Sequence, residues 1–116
     1  MKKINILKNS RDFDRIIKNY KPYKYKDYII YLERDTNDIY KFGLSVGKKI
    51  GNAVRRNKVK RQIKAIISEK DYQNNFNCII IVGRGINERT FIEMKDNLLI
   101  ALENLNITKE NRHEEK

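Results

Sequence analysis

Cys78-Ile79-Ile80-Ile81-Val82 is apolar without interruption. A strand with one face in water alternates in polarity, and this run offers no side to turn outward. It reads as a central strand, Asn77 to Gly83, that must be covered above and below. The rest of the chain supplies candidate cover. Ser10 can cap a helix on which Phe13, Ile16, Ile17 and Tyr20 recur at i, i+3, i+4 and i+7, with Pro22 stopping it. A second helix opens at Gly51-Asn52, Asn52 being a suitable N-cap, and carries Val59, Ile63, Ile66 and Ile67 on one arc. Thr90-Phe91-Ile92-Glu93 has the form of a capping box and starts a third, with Met94, Leu98, Ala101, Leu102 and Leu105 as its apolar stripe.

Two further segments read as strands. Asp27 to Glu33 sets Tyr28, Ile30 and Leu32 against Ile29 and Tyr31, and Thr36-Asn37-Asp38 then marks a turn, which predicts a hairpin. The second arm, Tyr40 to Val46, has a large face (Tyr40, Phe42, Leu44, Val46) and a small one (Gly43, Ser45, Gly47). A bare face of this kind lets a helix or a ligand approach the backbone. The expected fold is a single-domain α+β sandwich in the order α-β-β-α-β-α, with room for one extra short strand. The domain is expected over 1–108, followed by a polar, disordered tail over 109–116. No apolar run approaches the ~18 residues of a membrane span, and MKKINILKNS lacks a signal-peptide core, so a cytoplasmic protein with no membrane partner is expected. The lone Cys78 excludes an internal disulfide and, with one histidine, leaves no Cys/His metal framework.

The charge is concentrated. Net charge is +11, and Lys48 to Lys64 hold eight basic side chains (Lys48, Lys49, Arg55, Arg56, Lys58, Lys60, Arg61, Lys64) with no acid, against 18 basic and 15 acidic residues elsewhere. A compositional bias toward Ile, Lys and Asn would scatter lysines among glutamates, as the rest of the chain does. Such a run needs a polyanionic partner or is a solvated like-charge face. At about 100° per residue, Asn57, Lys60, Arg61 and Lys64 occupy an arc separate from the apolar one. Solvated amphipathic helices alternate signs for i, i+4 support, whereas this one has no carboxylate before Glu69, which favours nucleic acid. Arg offers bidentate forks to phosphate, and Asn can reach sugar or base edges. Tyr20, Tyr23, Tyr25, Tyr28 and Tyr31 are interleaved with Lys21, Lys24 and Lys26, a composition that suits either base stacking or ordinary sheet packing.

Protein-borne catalysis is poorly supported. His113 lies in the polar tail, Cys78 sits inside an apolar strand, and there is no HExxH, no P-loop and no carboxylate pair beside a glycine-rich loop. No catalytic and no metal-ligating residue is assigned.

The segment from Gly43 to Arg61, GLSVGKKIGNAVRRNKVKR, resembles the signature block of the bacterial ribonuclease P protein component, close to K-K-x-G-x-A-V-x-R-N-x-x-K-R-x-x-R/K and satisfied from Lys48 to Lys64. Leu7 to Phe13 and the element order are similar as well. The resemblance implies a βαβ crossover of left-handed sense carrying the basic helix, where generic sterics favours the right hand. It implies a protein subunit of the ribonucleoprotein endonuclease that removes the 5′ leader from precursor tRNA, with catalytic groups and Mg²⁺ held mainly by the RNA subunit. The implied partners are that ribonuclease P RNA and precursor tRNA. By position, Lys48, Lys49, Asn52, Arg55, Arg56, Asn57, Lys60, Arg61 and Lys64 would face the RNA subunit, and Phe13, Ile17 and Tyr31 would line a cleft for the single-stranded leader. Ile17 stands where relatives often have an aromatic, Gly47 where they often have serine, and Val82 to Gly85 carries one basic residue, Arg84, where they often have two. A structural RNA-binding protein, such as a ribosomal protein, is the alternative class; an autonomous nuclease lacks acid/base candidates.

Overall fold

The computed structural model describes residues 1–109 and puts the apolar run where its composition demands. Strand β4 (Phe76–Val82) lies inside a four-stranded sheet, with β2 (Tyr28–Arg34) antiparallel on one side and β3 (Lys41–Ser45) parallel on the other. A short strand β1 (Tyr23–Tyr25) pairs antiparallel with β2, giving the order β1-β2-β4-β3. Helices α2 (Ala53–Ile67) and α3 (Phe91–Asn104) cover one face and α1 (Ser10–Asn19) the other. Cys78 and Ile80 are fully buried on the two-helix side and Ile79 on the α1 side, so the run is enclosed by a layer above and a layer below.

The predicted hairpin is not formed. β2 and β3 do not pair with each other, because β4, apolar on both faces, takes the place between them. The turn residues still turn, but around the start of β4. Asp35 and Thr36 donate backbone N–H groups to Asn75 O, while Asn75 N donates to Asp38 O. Asp35, Asn37 and Asn75 adopt left-handed φ values of 61°, 55° and 70°, which Asn and Asp tolerate better than most residues. The connection from β3 through α2 to β4 is the expected βαβ crossover, since those two strands are parallel neighbours.

The helices start close to where their capping residues predict. Asn52 Oδ1 accepts from Arg55 N at 3.0 Å, and Thr90 and Glu93 exchange both bonds of a capping box. The α1 cap is one residue earlier than expected. Asn9, as good a cap as serine, accepts from Arg11 N at 2.9 Å, and Ser10 is the first helical residue. Val59, Ile63, Ile66 and Ile67 are all buried, each stabilising the packing of α2 by roughly 1.5–3 kcal/mol. Before α1, Leu7 N donates to Phe42 O at 2.8 Å, and buried Asn5 donates from Nδ2 to Tyr40 O at 2.7 Å. These bonds tie the N-terminal segment along the outer edge of β3. After α3, Thr108 bridges to Tyr72 and Lys109 N donates to Asp71 O. Apart from Lys109, the expected tail, His113 included, lies outside the described residues. Among those described, no helix is long and apolar enough to cross a membrane.

Candidate nucleic-acid interface

α2 divides as its wheel predicts. With its apolar arc buried, Asn57, Lys58 and Arg61 are exposed and Lys60 and Lys64 half-exposed. Lys48 and Lys49 are exposed on a 3₁₀ turn just ahead of the helix, and Asn52 is exposed at its N-cap. None of the eight cations between Lys48 and Lys64 forms an ion pair with an acid among the described residues. Two arginines are oriented by local bonds. Arg55 Nε donates to Asn87 Oδ1 at 2.9 Å, and Asn87 Nδ2 donates to Ile50 O at 2.9 Å, which locks the start of α2 to the turn preceding α3. Arg56, whose angle would bury it, bends back and donates from Nε to Gly51 O at 3.1 Å. Asn52 Oδ1 accepts the helix-cap bond, and its Nδ2 carries two donors for a ligand.

On the other face, α1 packs across the sheet in rows set by strand register. Lys41, Asn77 and Glu33 lie side by side, then Gly43, Ile79 and Tyr31. The first row is a polar clamp. Arg15 on α1 makes a two-armed ion pair with Glu33, which also accepts from Asn77 Nδ2 at 2.8 Å. The second row is apolar and answers what approaches the bare face of β3: it is Phe13. A Cβ built on Gly43 would stand 2.9 Å from Phe13 Cε1 and nearer still to Cζ. Ile16, Leu7 and Ile79 are buried here, whereas Phe13, Ile17, Tyr31 and Ile81 stay half-buried. The three residues expected to line a cleft are therefore brought into one cluster and remain partly open.

The bond from Arg15, strengthened by Asn77 and Tyr20 and opposed by desolvation, holds the Glu33 carboxyl below the ordinary carboxylate range. A carboxyl whose pKa is depressed on folding contributes stability above its unfolded value, about 4.3, and loses it as pH falls through the lower folded value. Glu33→Gln is thus expected to lower stability at pH 7 and to flatten the decline below pH ~4.3. Acid titrations of both proteins by circular dichroism check this, and parallel curves would remove Glu33 from the linkage.

The tyrosine-lysine stretch does not form one stacking platform. Tyr28 is buried with its hydroxyl donating to Met94 O at 3.1 Å, and Tyr23 and Tyr25 pack against the main core. Only Tyr31 and Tyr20 face the α1 side, Tyr20 bonded to Glu33 at 3.4 Å. Alternation along β1 and β2 explains the split. Cys78, fully buried, has its thiol pushed up by desolvation and is inert.

Two adjacencies were not legible in the sequence. Phe13 shares a cavity of about 280 Å³ with Lys60 and Lys64, reached around the edge of β3. Lys48, Lys49 and Arg84 ring another of about 650 Å³ whose lining includes Ser45 and Ile81. The first depends on β3 being an edge strand and the second on β3 pairing in parallel with β4, neither of which is encoded locally.

The family model for ribonuclease P matches residues 1–106. The chain belongs to the ribonuclease P protein family. It is 36% identical over 99 residues to the ribonuclease P protein component of Streptococcus pyogenes serotype M5 (strain Manfredo), covering 84% of this chain and 83% of that one. Its fold is similar to the RNase P protein of Staphylococcus aureus, with TM-score 0.80, 26% identity, and coverage of 90% of this chain and 98% of that one. The RNase P protein from Thermotoga maritima gives TM-score 0.73 at 25% identity over 83% of this chain and 93% of that one. As a ribonuclease P protein, the chain is a subunit of the ribonucleoprotein that matures tRNA 5′ ends. Ribonuclease P is in general Mg²⁺-dependent. Among the described residues no three His, Cys, Asp or Glu side chains gather where they could ligate one ion.

Proposed function

We propose that the cationic face of α2, with Lys48, Lys49 and Asn52 ahead of it, binds the ribonuclease P RNA, and that the cleft of Phe13, Ile17 and Tyr31 takes the single-stranded 5′ leader of precursor tRNA. In this reading the RNA subunit holds the Mg²⁺ and the reacting groups in the cytoplasm. The protein neutralises phosphates and adds leader affinity through one RNA-binding domain spanning 1–108. The observation that carries it is a set of cations that pair with no acid among the described residues, two of which, Lys60 and Lys64, share a cavity with Phe13 of the half-open aromatic cleft. Structural like-charge runs are costly to a folded chain unless a polyanion neutralises them. Lys60 and Lys64 sit at the cavity that Phe13 lines, so one RNA assembly can meet both surfaces.

The expected result with purified components is no cleavage of precursor tRNA by the protein alone at any Mg²⁺ concentration. Cleavage at the mature 5′ end should follow addition of a bacterial ribonuclease P RNA at moderate Mg²⁺. Metal-dependent cleavage by RNA-free protein would overturn this division of labour.

A further inference from the structure

α1 is held to the sheet by a narrow apolar seam. Ile16 is its one buried residue and packs with Leu7 and Ile79, while Phe13, Ile17, Tyr31 and Ile81 around them stay half-buried. Apolar burial has no preferred direction, so a seam this small fixes the distance of a helix from a sheet better than its roll. Ile16 faces the sheet. At about 100° per residue Arg15 and Ile17 stand on its two flanks, with Phe13 on the Ile17 side. The flanks differ. On one, Phe13 and Ile17 border the half-open cleft; on the other, Arg15 reaches Glu33 with both arms. The Glu33 side chain is only 12% exposed, and Asn77 Nδ2 at 2.8 Å and the Tyr20 hydroxyl at 3.4 Å donate to the same carboxylate. Asp12, three residues before Arg15, holds the guanidinium at 3.5 Å from within the helix. Lys41, in the same row of the sheet as Glu33, is taken by Asp38 at 3.2 Å, which leaves Arg15 as the cation that pairs with Glu33 among the described residues.

We propose that Arg15 and Glu33 are positioning residues: their ion pair sets the roll of α1, and with it the separation of Phe13 and Ile17 from Tyr31. The proposal rests on the reading of this cleft as the leader site, and in it Arg15 touches no leader. Glu33 and Tyr31 lie two residues apart on the same face of β2. The pair therefore references the helix to the strand that carries the tyrosine of the cleft. On the far side the Phe13 ring rests against the bare backbone of Gly43, so α1 is held between a stop on β3 and a tie on β2. Exposed ion pairs contribute little to stability, but a two-armed guanidinium–carboxylate pair is strongly directional. Helix side chains reach about 5–6 Å from the axis, so a roll of about 10° around Ile16 moves Phe13 and Ile17 by about 1 Å. Displacement on that scale is enough to spoil a positioned contact.

The test uses the assembled holoenzyme at a temperature where every variant is folded. Arg15→Gln and Glu33→Gln are each expected to lower the preference for precursor over mature tRNA several-fold, through a higher KM for precursor at unchanged kcat. Affinity for mature tRNA and the salt slope should stay as they were. The double variant should lose no more than either single one, because both changes remove the same tie. Direct contact between Arg15 and a leader phosphate predicts the opposite signs. Arg15→Gln would then lower the salt slope by about 0.7, and Glu33→Gln, by freeing the guanidinium, would strengthen precursor binding. Either result overturns the positioning role. Leu98→Ala, buried in α3 on the opposite face of the sheet, controls for stability and is expected to lower Tm while leaving the preference intact. A loss of preference in Leu98→Ala equal to that in Arg15→Gln would also overturn it, in favour of a general effect of destabilisation. If Arg15→Gln and Glu33→Gln are silent while Tyr31→Ala still reduces the preference, the positioning role fails and the cleft stands. If Tyr31→Ala and Phe13→Ala are silent too, in variants that melt cooperatively, both readings fall.

Discussion

Replacing Lys60, Arg61 and Lys64 together by alanine is expected to weaken binding of the ribonuclease P RNA on the order of a thousandfold at moderate salt, taking about 1.5 kcal/mol for each charge-assisted hydrogen bond removed. The salt slope should fall by about 2–3 in log-log units, since each phosphate neutralised contributes about 0.7–0.9. Stability should move the other way or not at all. None of the three side chains is in the core, alanine is the best helix former, and Lys60 and Lys64 repel each other at i, i+4 on a helix without a compensating acid before Glu69. A gain or no change in Tm alongside a large drop in affinity identifies a face kept cationic for its ligand. Ile63→Ala gives the opposite signature. It is expected to cost roughly 2–5 kcal/mol of stability because Ile63 is wholly buried, while the slope of whatever protein stays folded is unchanged. Filter binding across a salt series, with thermal melts of the same samples, measures both. A slope untouched by the triple change would return the run to a solvated face.

The parts of this molecule that were legible in its sequence are those fixed by local periodicity or local bonds. The arcs of α2, the box at Thr90 and Glu93, and the double-faced burial of β4 follow from residues a few positions apart. Strand pairing was not legible in the same way. Tyr40 to Val46 presents the pattern of a hairpin partner for β2, and the turn between them is real. The competition is decided by β4, more than thirty residues downstream, which is the better partner for both because it alone can be buried on both faces. Once β4 is central, β3 becomes an edge strand. That position lets α1 and α2 approach each other around it and gives the cavity that joins Phe13 to Lys60 and Lys64. The tyrosines show the same limit. Composition marks Tyr20 to Tyr31 as one group, and only the pleat tells Tyr31, facing α1, from Tyr28, in the core. Conversely the nine residues expected to face the RNA subunit, seven of them basic, were named from resemblance before any geometry. What the structure adds is that Asn52, Arg55 and Arg56 are partly engaged in holding the start of α2, so their removal would mix structural effects with binding effects.

Gly43 gives the second large effect, and it opposes what strand propensity suggests. Valine is favoured in strands and glycine disfavoured, so Gly43→Val would stabilise a free-standing strand. Here a side chain at 43 would occupy the space of the Phe13 ring. Destabilisation by about 1–3 kcal/mol, or more if α1 must tilt away, is expected instead. The displaced ring should also cost the holoenzyme much of its preference for precursor over mature tRNA. Combining Gly43→Val with Phe13→Ala separates packing from recognition. Removing the ring relieves the clash, so the double variant should be more stable than the sum of the single effects by about 0.5–3 kcal/mol, the coupling expected of residues that touch. Preference for the leader should not return with it, because the stacking surface is gone. If the double variant recovers both stability and leader preference, Phe13 is a core residue whose place valine can take, and Tyr31 must hold the leader with other partners.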